Sequence, residues 1–499
     1  MDGNLKMKNE AVVKSLVFKY SERMLYQGIA FAVQIIIARL LDPSDYGVLA
    51  ILSVFIVISQ VFVQSGLNTA LIQRKSVSEE DYSTVFWASM AIAILLYAAL
   101  FAFAPLISQF YEMPELIKAL RIFAVVLIPG AFNSIQNAKI AREMQFKQLM
   151  YCTVAATIIS GSIGIAFAHL GYGIWALVAQ QISNQIAISI LLLFVVKWYP
   201  KCIFNFPRFK ALFSFGWKLL LSSLLNTIYG ELQNLAIGKK YKPSMLGYFN
   251  RGRQFPQVVV ENINGSIQAV MLPVLSKEQD NRARMKNIMR RSVVTSSFIL
   301  FPMMVGLAVV AEPLVSLLLT DKWLPCVPYL RVYCFVFAFY PIHTANLQAL
   351  NAQGRSDWFL KLEIIKKVVG GVILITTVLC FDSPLAIALG AAVSTLLSCF
   401  INSYPNKSLL DYSYVEQMRD ILPSMALSLI MGVAVYPIIL IGLVPWLTLI
   451  IQLCLGVGIY VALAYLFKLE CFEYLINLFK QTIKNRSNRP STNTDSDAS

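Results

Sequence analysis

Between Tyr248 and Gln268 the chain places Asn250, Arg251, Arg253, Gln254, Gln257, Glu261, Asn262, Asn264 and Gln268 inside a stretch long enough to cross a bilayer. Charges and amides at membrane depth are costly, so this stretch must turn one face to water or protein, and its cations could hold an anionic group there. Arg251 and Arg253 are two apart and cannot share a helix face closely. Either one points into a wet cavity and the other toward a neighbour, or both snorkel to the headgroup zone. A second polar set, Gln60, Gln64 and Asn68, lies 200 residues earlier, with Gln64 corresponding to Asn264 and Asn68 to Gln268. These amides either line the same cavity or hydrogen-bond between helices.

Two further positions could carry chemistry. The clean apolar run Met24–Ala38 is too short to cross unaided, so the first span must take in Lys19, Glu22 and Arg23 near its inner end. Arg23 either meets an anion when a cavity opens inward, with Glu22 holding it, or forms an interfacial ion pair. Glu231 is the acid nearest the middle of a span; it either binds a coupling proton or sodium ion or pairs with an Arg. Arg121, Arg331, Lys366 and Lys367 read as topological. The eight cysteines include no CxxC pair and fall mostly in apolar segments, as small buried residues do. His169 and His343 make no recognisable cluster. No Gly-rich phosphate cradle appears, so nucleotide hydrolysis is not expected, and the reading gives no catalytic residue, no metal and no cofactor beyond a possible proton or sodium ion.

The elements that position these groups are read from hydropathy. Of 499 residues, 57% are hydrophobic and 14% charged, whereas soluble domains carry about 25% charged residues. Apolar runs of about 20 residues, each long enough to span the hydrocarbon, predict an all-α polytopic membrane protein of about fourteen transmembrane helices. They lie near 16–39, 46–71, 84–108, 116–137, 147–169, 173–196, 211–238, 246–274, 289–311, 326–350, 357–381, 384–405, 421–442 and 445–467. With the N-terminus inside, 32 of the 42 Lys and Arg fall on the inner side, eight on the outer side, and Arg251 and Arg253 within a span. That bias predicts both termini in the cytoplasm. Six of the seven tryptophans fall at predicted span ends, where indole prefers to sit. The net charge of +15 is spread over short loops, which argues against nucleic acid as a partner.

A duplication organises the spans. ARLLDPSDYGVL from Ala38 and GKKYKPSMLGYF from Gly238 align at an offset of 200, matching Pro43 and Ser44 to Pro243 and Ser244 and Gly47 to Gly247. Pro129 and Gln136 pair with Pro341 and Gln348 at an offset of 212. Each repeat holds six spans, so the two enter the membrane from the same side, as parallel repeats with a site expected at their interface. The expected organisation is a cytoplasmic N-terminus at 1–15, an N-lobe at 16–196, an inner linker at 197–210, a C-lobe at 211–405 and a helix pair at 406–467. An amphipathic surface helix at 468–485 and a disordered tail at 486–499 follow.

These motifs resemble the Wzx-type polysaccharide exporters of the MOP superfamily, particularly the colanic-acid-exporter-like branch. The resemblance rests on ARLLDPSDYG at Ala38, FVQSGLNTALIQRK at Phe62, DYSTVFW at Asp81, GYGIWALVAQQ at Gly171, GYFNRGRQFPQ at Gly247, AEPLVSLLLTDKWLPCVPYLR at Ala311 and GRSDWFLKLEIIKK at Gly354. It implies two six-helix lobes, alternating access, and an undecaprenyl-diphosphate-linked oligosaccharide as substrate. The chain would then be a flippase of the cytoplasmic membrane serving exopolysaccharide or lipopolysaccharide biosynthesis, in contact with membrane lipids and polymerase machinery. In such a family, cationic residues of spans 1 and 8 are expected substrate contacts, which points here to Arg23 and Arg251; Arg253 stays a cavity candidate from its place in span 8.

The alternative is a cation-coupled multidrug or other small-molecule exporter of the same superfamily. It would be expected to carry a mid-membrane acid in the N-lobe, and spans 2, 3, 5 and 6 have no carboxylate. A glycan polymerase or ligase would need a large outer loop, whereas the longest here is near Glu312–Pro325. A non-transporting scaffold would not need a duplicated bundle with a polar span 8.

Overall fold

The computed structural model describes residues 26–473 apart from residue 65. Arg23, with Glu22 and Lys19, lies outside the described residues, as do the 1–15 segment, most of the expected surface helix and the 486–499 tail. The described residues form helices joined by short turns, and no strand occurs among them.

In chain order the helices are α1 (Tyr26–Leu40), α2 (Pro43–Gln64), α3 (Leu67–Gln73), α4 (Glu79–Tyr111), α5 (Glu115–Phe123), α6 (Leu127–Glu143), α7 (Phe146–His169), α8 (Ile174–Val196) and α9 (Phe206–Lys240). They continue as α10 (Pro243–Lys277), α11 (Arg282–Val309), α12 (Ala311–Leu319), α13 (Val327–Ala338), α14 (Tyr340–Ala352), α15 (Ser356–Cys380), α16 (Pro384–Leu410), α17 (Tyr414–Val435) and α18 (Pro445–Leu466). Every predicted span overlaps helix, and among the described residues 11 helical segments are long and apolar enough to cross a membrane. The remaining three of the expected fourteen miss that measure. Only 15 residues of α1 are described, α5 and α6 are parted by a 3-10 turn at Ala124–Val126, and α15 carries Asp357, Lys361, Glu363, Lys366 and Lys367.

By packing, the chain divides into two compact units: Met1–Asn250 with Leu318–Pro325, and Arg251–Leu317 with Cys326–Ser499. In the first unit α7 and α8 form a tight antiparallel hairpin, and α9 packs along α2, α3 and α4. The repeated PSxxG motifs open α2 and α10 in the same way, each with Pro at the first helical position, where its missing N–H costs nothing. These two helix starts touch. A Cβ on Gly47 would lie 1.7 Å from the Pro243 carbonyl oxygen, and one on Gly247 would lie 2.0 Å from that of Pro43. Only glycine permits this reciprocal approach of backbone to backbone.

The end of the first unit that the charge count assigns to the inside is fastened by buried charge. Asp81, 2% exposed, caps the start of α4 in a capping box with Ser78 and pairs at 3.1 Å with both Arg74 and Arg208. Arg142 on α6 donates to the carbonyls of Leu71, Arg74 and Lys75 at the end of α3. The connection to α9 is held on the same spot. Trp198 Nε1 donates to Glu79 at 2.7 Å and Trp87 Nε1 to the Lys201 carbonyl at 2.8 Å. Both tryptophans thus sit at span ends with their N–H satisfied, as the interface preference requires.

In the second unit a fully buried amide triad ties three helices. Asn346 on α14 donates to Gln417 on α17 at 2.7 Å, and Asn406 on α16 donates to Asn346 at 2.7 Å. All three side chains are 0% exposed. The helix α18 is fixed to α11 by the Tyr460 hydroxyl, which donates to the Phe298 carbonyl at 2.9 Å. Tyr412, in the turn before α17, donates to Asp420 at 2.7 Å, and its burial beside that carboxylate pushes the phenol pKa upward.

Candidate functional site

The polar residues of α10 sort into two faces once the helix is formed. Positions 253, 257, 261, 264 and 268 recur every three or four residues and therefore form one stripe. It runs about 22 Å along the axis at 1.5 Å per residue. Its members are Arg253, Gln257, Glu261, Asn264 and Gln268, each partly or fully exposed. Gln257 Nε2 donates to Glu261 Oε1 at 2.6 Å, one turn apart, which ties the middle of the stripe together. Arg251 and Phe255 on the opposite side of the helix are buried, as are Gly252, Pro256 and Val260, which flank the stripe.

Gly252, between the two arginines, packs against a neighbouring helix. A Cβ there would meet the Cys326 carbonyl oxygen at 2.7 Å and the Tyr329 Cβ at 2.8 Å, so α10 lies directly against the start of α13. Arg251 is carried to the packed side. It is 6% exposed and its Nη1 donates to Gln254 at 2.8 Å. Arg253 is carried to the accessible stripe, where its guanidinium lies 5.7 Å from the ring centroid of Tyr333. Among the described residues Arg253 has no ion pair, and its buried Nε has no hydrogen-bond partner. An unsatisfied N–H on a buried guanidinium nitrogen costs free energy, and a ligand oxygen would remove that cost. Tyr340 lies within electrostatic reach of both Arg253 and Glu261. Arg253 and Tyr333 thus make a cationic and aromatic head to the stripe.

The remaining expected positions are distributed as follows. Asn264 accepts from the Thr344 hydroxyl on α14 at 2.5 Å, and Asn68 at the start of α3 donates to the Ser134 hydroxyl on α6. Both repeats therefore use an amide–hydroxyl bond between equivalent helices, while Gln64 and Gln268 are exposed. Glu231 on α9 accepts from Asn234 at 2.7 Å, one turn away on its own helix, and no cation pairs with it among the described residues. His343 has partners that sequence reading missed: Nδ1 lies 3.0 Å from Asn402 Nδ2 and Nε2 lies 3.6 Å from Cys399 Sγ. No group of three or more potential metal ligands occurs among the described residues. Tyr333, Tyr340, Thr344 and Ser134 carried no signal of their own in the sequence.

Helices of this length and number define a multi-pass membrane protein. Two solved structures share its fold. The lipid II flippase MurJ, in an inward closed conformation, matches at a TM-score of 0.73 with 17% identity over 92% of this chain and all of that one. An inward-facing MATE multidrug resistance transporter of the MOP superfamily matches at 0.59 with 14% identity over 77% of this chain and 95% of that one. Residues 36–328 match the family model described as polysaccharide biosynthesis protein. The chain belongs to that family.

Relatives include the teichuronic acid biosynthesis protein TuaB of Bacillus subtilis, 27% identical over 60% of this chain and 63% of the relative. The succinoglycan biosynthesis transport protein ExoT of Rhizobium meliloti is 25% identical over 59% and 60%. The lipopolysaccharide biosynthesis protein WzxC of Escherichia coli is 21% identical over 81% and 84%. The match thus spans about three fifths of the length of the first two.

Proposed function

We propose that this chain is a flippase that moves undecaprenyl-diphosphate-linked oligosaccharide repeat units across the cytoplasmic membrane by alternating access. The observation that carries the reading is Arg253. It is a membrane-helix cation with no acid partner among the described residues, at the head of a polar stripe about 22 Å long. A diphosphate supplies the oxygens that such a guanidinium lacks, since Arg recognises phosphate through several N–H donors at once. The amides and the Gln257–Glu261 pair below it offer hydrogen bonds to glycan hydroxyls along the path. Family membership and the names of the relatives support a surface-polysaccharide substrate. Arg23 is the proposed partner cation at the inner end, and Glu231 the proposed site of proton or sodium coupling.

The charge bias supports cytoplasmic termini and a cytoplasmic-membrane location, and polysaccharide polymerase machinery is a proposed partner. The test is deletion of the gene followed by mass spectrometry of lipid-linked sugars. Accumulation of a complete lipid-linked repeat unit on the inner side, with loss of surface polysaccharide, is expected. Unchanged polysaccharide together with increased drug sensitivity would instead select a drug exporter.

A further inference from the structure

One short segment belongs to a unit remote from it in sequence. Leu318–Pro325 joins α12 to α13, yet it packs as part of the first unit. Trp323, 0% exposed, donates from Nε1 to the Ala38 carbonyl at 2.9 Å, and Lys322 Nζ donates to the Arg39 carbonyl at 2.9 Å. Arg39 Nε in turn donates to the Leu318 carbonyl at 2.8 Å, and Lys322 lies 3.9 Å from Asp42. Tyr46 and Tyr248 meet the indole edge-on, with ring centroids at 5.2 and 6.1 Å. Ala38 and Arg39 lie in the last turn of α1, where backbone carbonyls have no partner within the helix. The segment is therefore a C-terminal cap for α1, supplied from about 280 residues further on.

A second observation concerns the backbone of the capping segment. Thr320, at its start, has φ +80°, a left-handed conformation that a β-branched residue avoids. Such strain persists only where surrounding contacts enforce it, and it collects at segments that switch. The carbonyls it covers lie on the side that the Lys and Arg count assigns to the outside, where water can replace the cap.

Resting on the flippase reading above, we propose that Leu318–Pro325 is a releasable bolt whose departure from the ends of α1 and α2 is an obligatory step of the transport cycle. Docked, it fills the orphan carbonyls of α1 and shields Trp323 between two tyrosines. Released, it relaxes Thr320.

The test places Asp42→Cys and Lys322→Cys together in the full chain in cells, with each single substitution as a control, and joins them with a bis-methanethiosulfonate cross-linker about as long as the lysine side chain it replaces, which reduction cleaves. Bridging in the double variant alone, with export stopped and restored by reduction, is expected. Export continuing at the unbridged rate in fully bridged protein would overturn the proposal, and so would failure of the pair to bridge. Bridging is read on gels and does not depend on substrate, whereas the flippase reading is judged separately by the gene deletion. Thr320→Gly, which relieves the strain, should raise the bridging yield and slow export by about fivefold. Lower yield with faster export would count against the bolt.

Discussion

Gly47 and Pro243 lie so close that a single methyl group on the glycine would come within 1.7 Å of the proline's carbonyl oxygen, and Gly247 stands in the same relation to Pro43 at 2.0 Å. The partner atom is backbone in both cases and cannot swing aside as a side chain could. Gly47→Ala and Gly247→Ala should each destabilise the protein by about 1–3 kcal/mol, the usual cost of overpacking. Gly371→Ala, at a position with open space around it, should be neutral. Thermal unfolding of the purified proteins in detergent checks all three, and equal melting temperatures would refute the close crossing.

The two arginines of α10 should separate by phenotype. Arg253→Ala should leave membrane levels unchanged and reduce export at least about tenfold, since a charge-assisted contact is worth about 1.5–3 kcal/mol. Arg251→Ala should lower the amount of folded protein, because it empties a packed position and removes the partner of Gln254. Immunoblots of membranes alongside surface polysaccharide assays distinguish the two. A reversal of these phenotypes would remove Arg253 from the site.

Asp81→Asn leaves Arg74 and Arg208 without their shared carboxylate. Breaking a buried pair costs about 3–5 kcal/mol; the two arginines are 36% and 38% exposed, and solvent screening brings the expected loss to about 2 kcal/mol. Denaturation midpoints of wild type and variant measure it. Restoration of full stability in Asp81→Asn by removal of both arginines would show the loss to be one of uncompensated charge.

The amide triad should behave as a unit. Asn346→Ala and Asn406→Ala each strand a buried amide group, at about 1–3 kcal/mol, and the double variant should lose less than the two losses combined. Simple additivity in a double-mutant cycle would mean that the three side chains act independently.

Glu231→Gln keeps an acceptor for Asn234 and removes the charge. Export in reconstituted vesicles should lose its response to an imposed proton or sodium gradient while basal movement persists. An undiminished response to both gradients would exclude Glu231 from coupling.

Much of this architecture can be read from residue order. Apolar length located the helices, and the PSxxG motif marked two helix starts because proline and glycine impose backbone constraints that survive in any context. The polar stripe of α10 was visible as composition. Which arginine it would expose was not, because that depends on where Cys326 and Tyr329 pack against Gly252, some 75 residues along the chain. The clamp around Asp81 escaped for the same reason, since Arg208 reaches it from a separate helix. The break between α5 and α6 has no proline or glycine at Ala124–Val126 to announce it. Trp323 was legible as an outer-loop residue, but its destination at Ala38 was not.

That destination bears on how the chain is made. A ribosome that has released the first 250 residues has not yet synthesised the indole that covers Ala38 or the ammonium that covers the Arg39 carbonyl. The first unit therefore completes the covering of α1 only after residue 323 has been made. A truncation ending at Asn250 should reach the membrane with water over the Ala38 and Arg39 carbonyls, and proteases should cut it at that end of α1 more readily than the full chain.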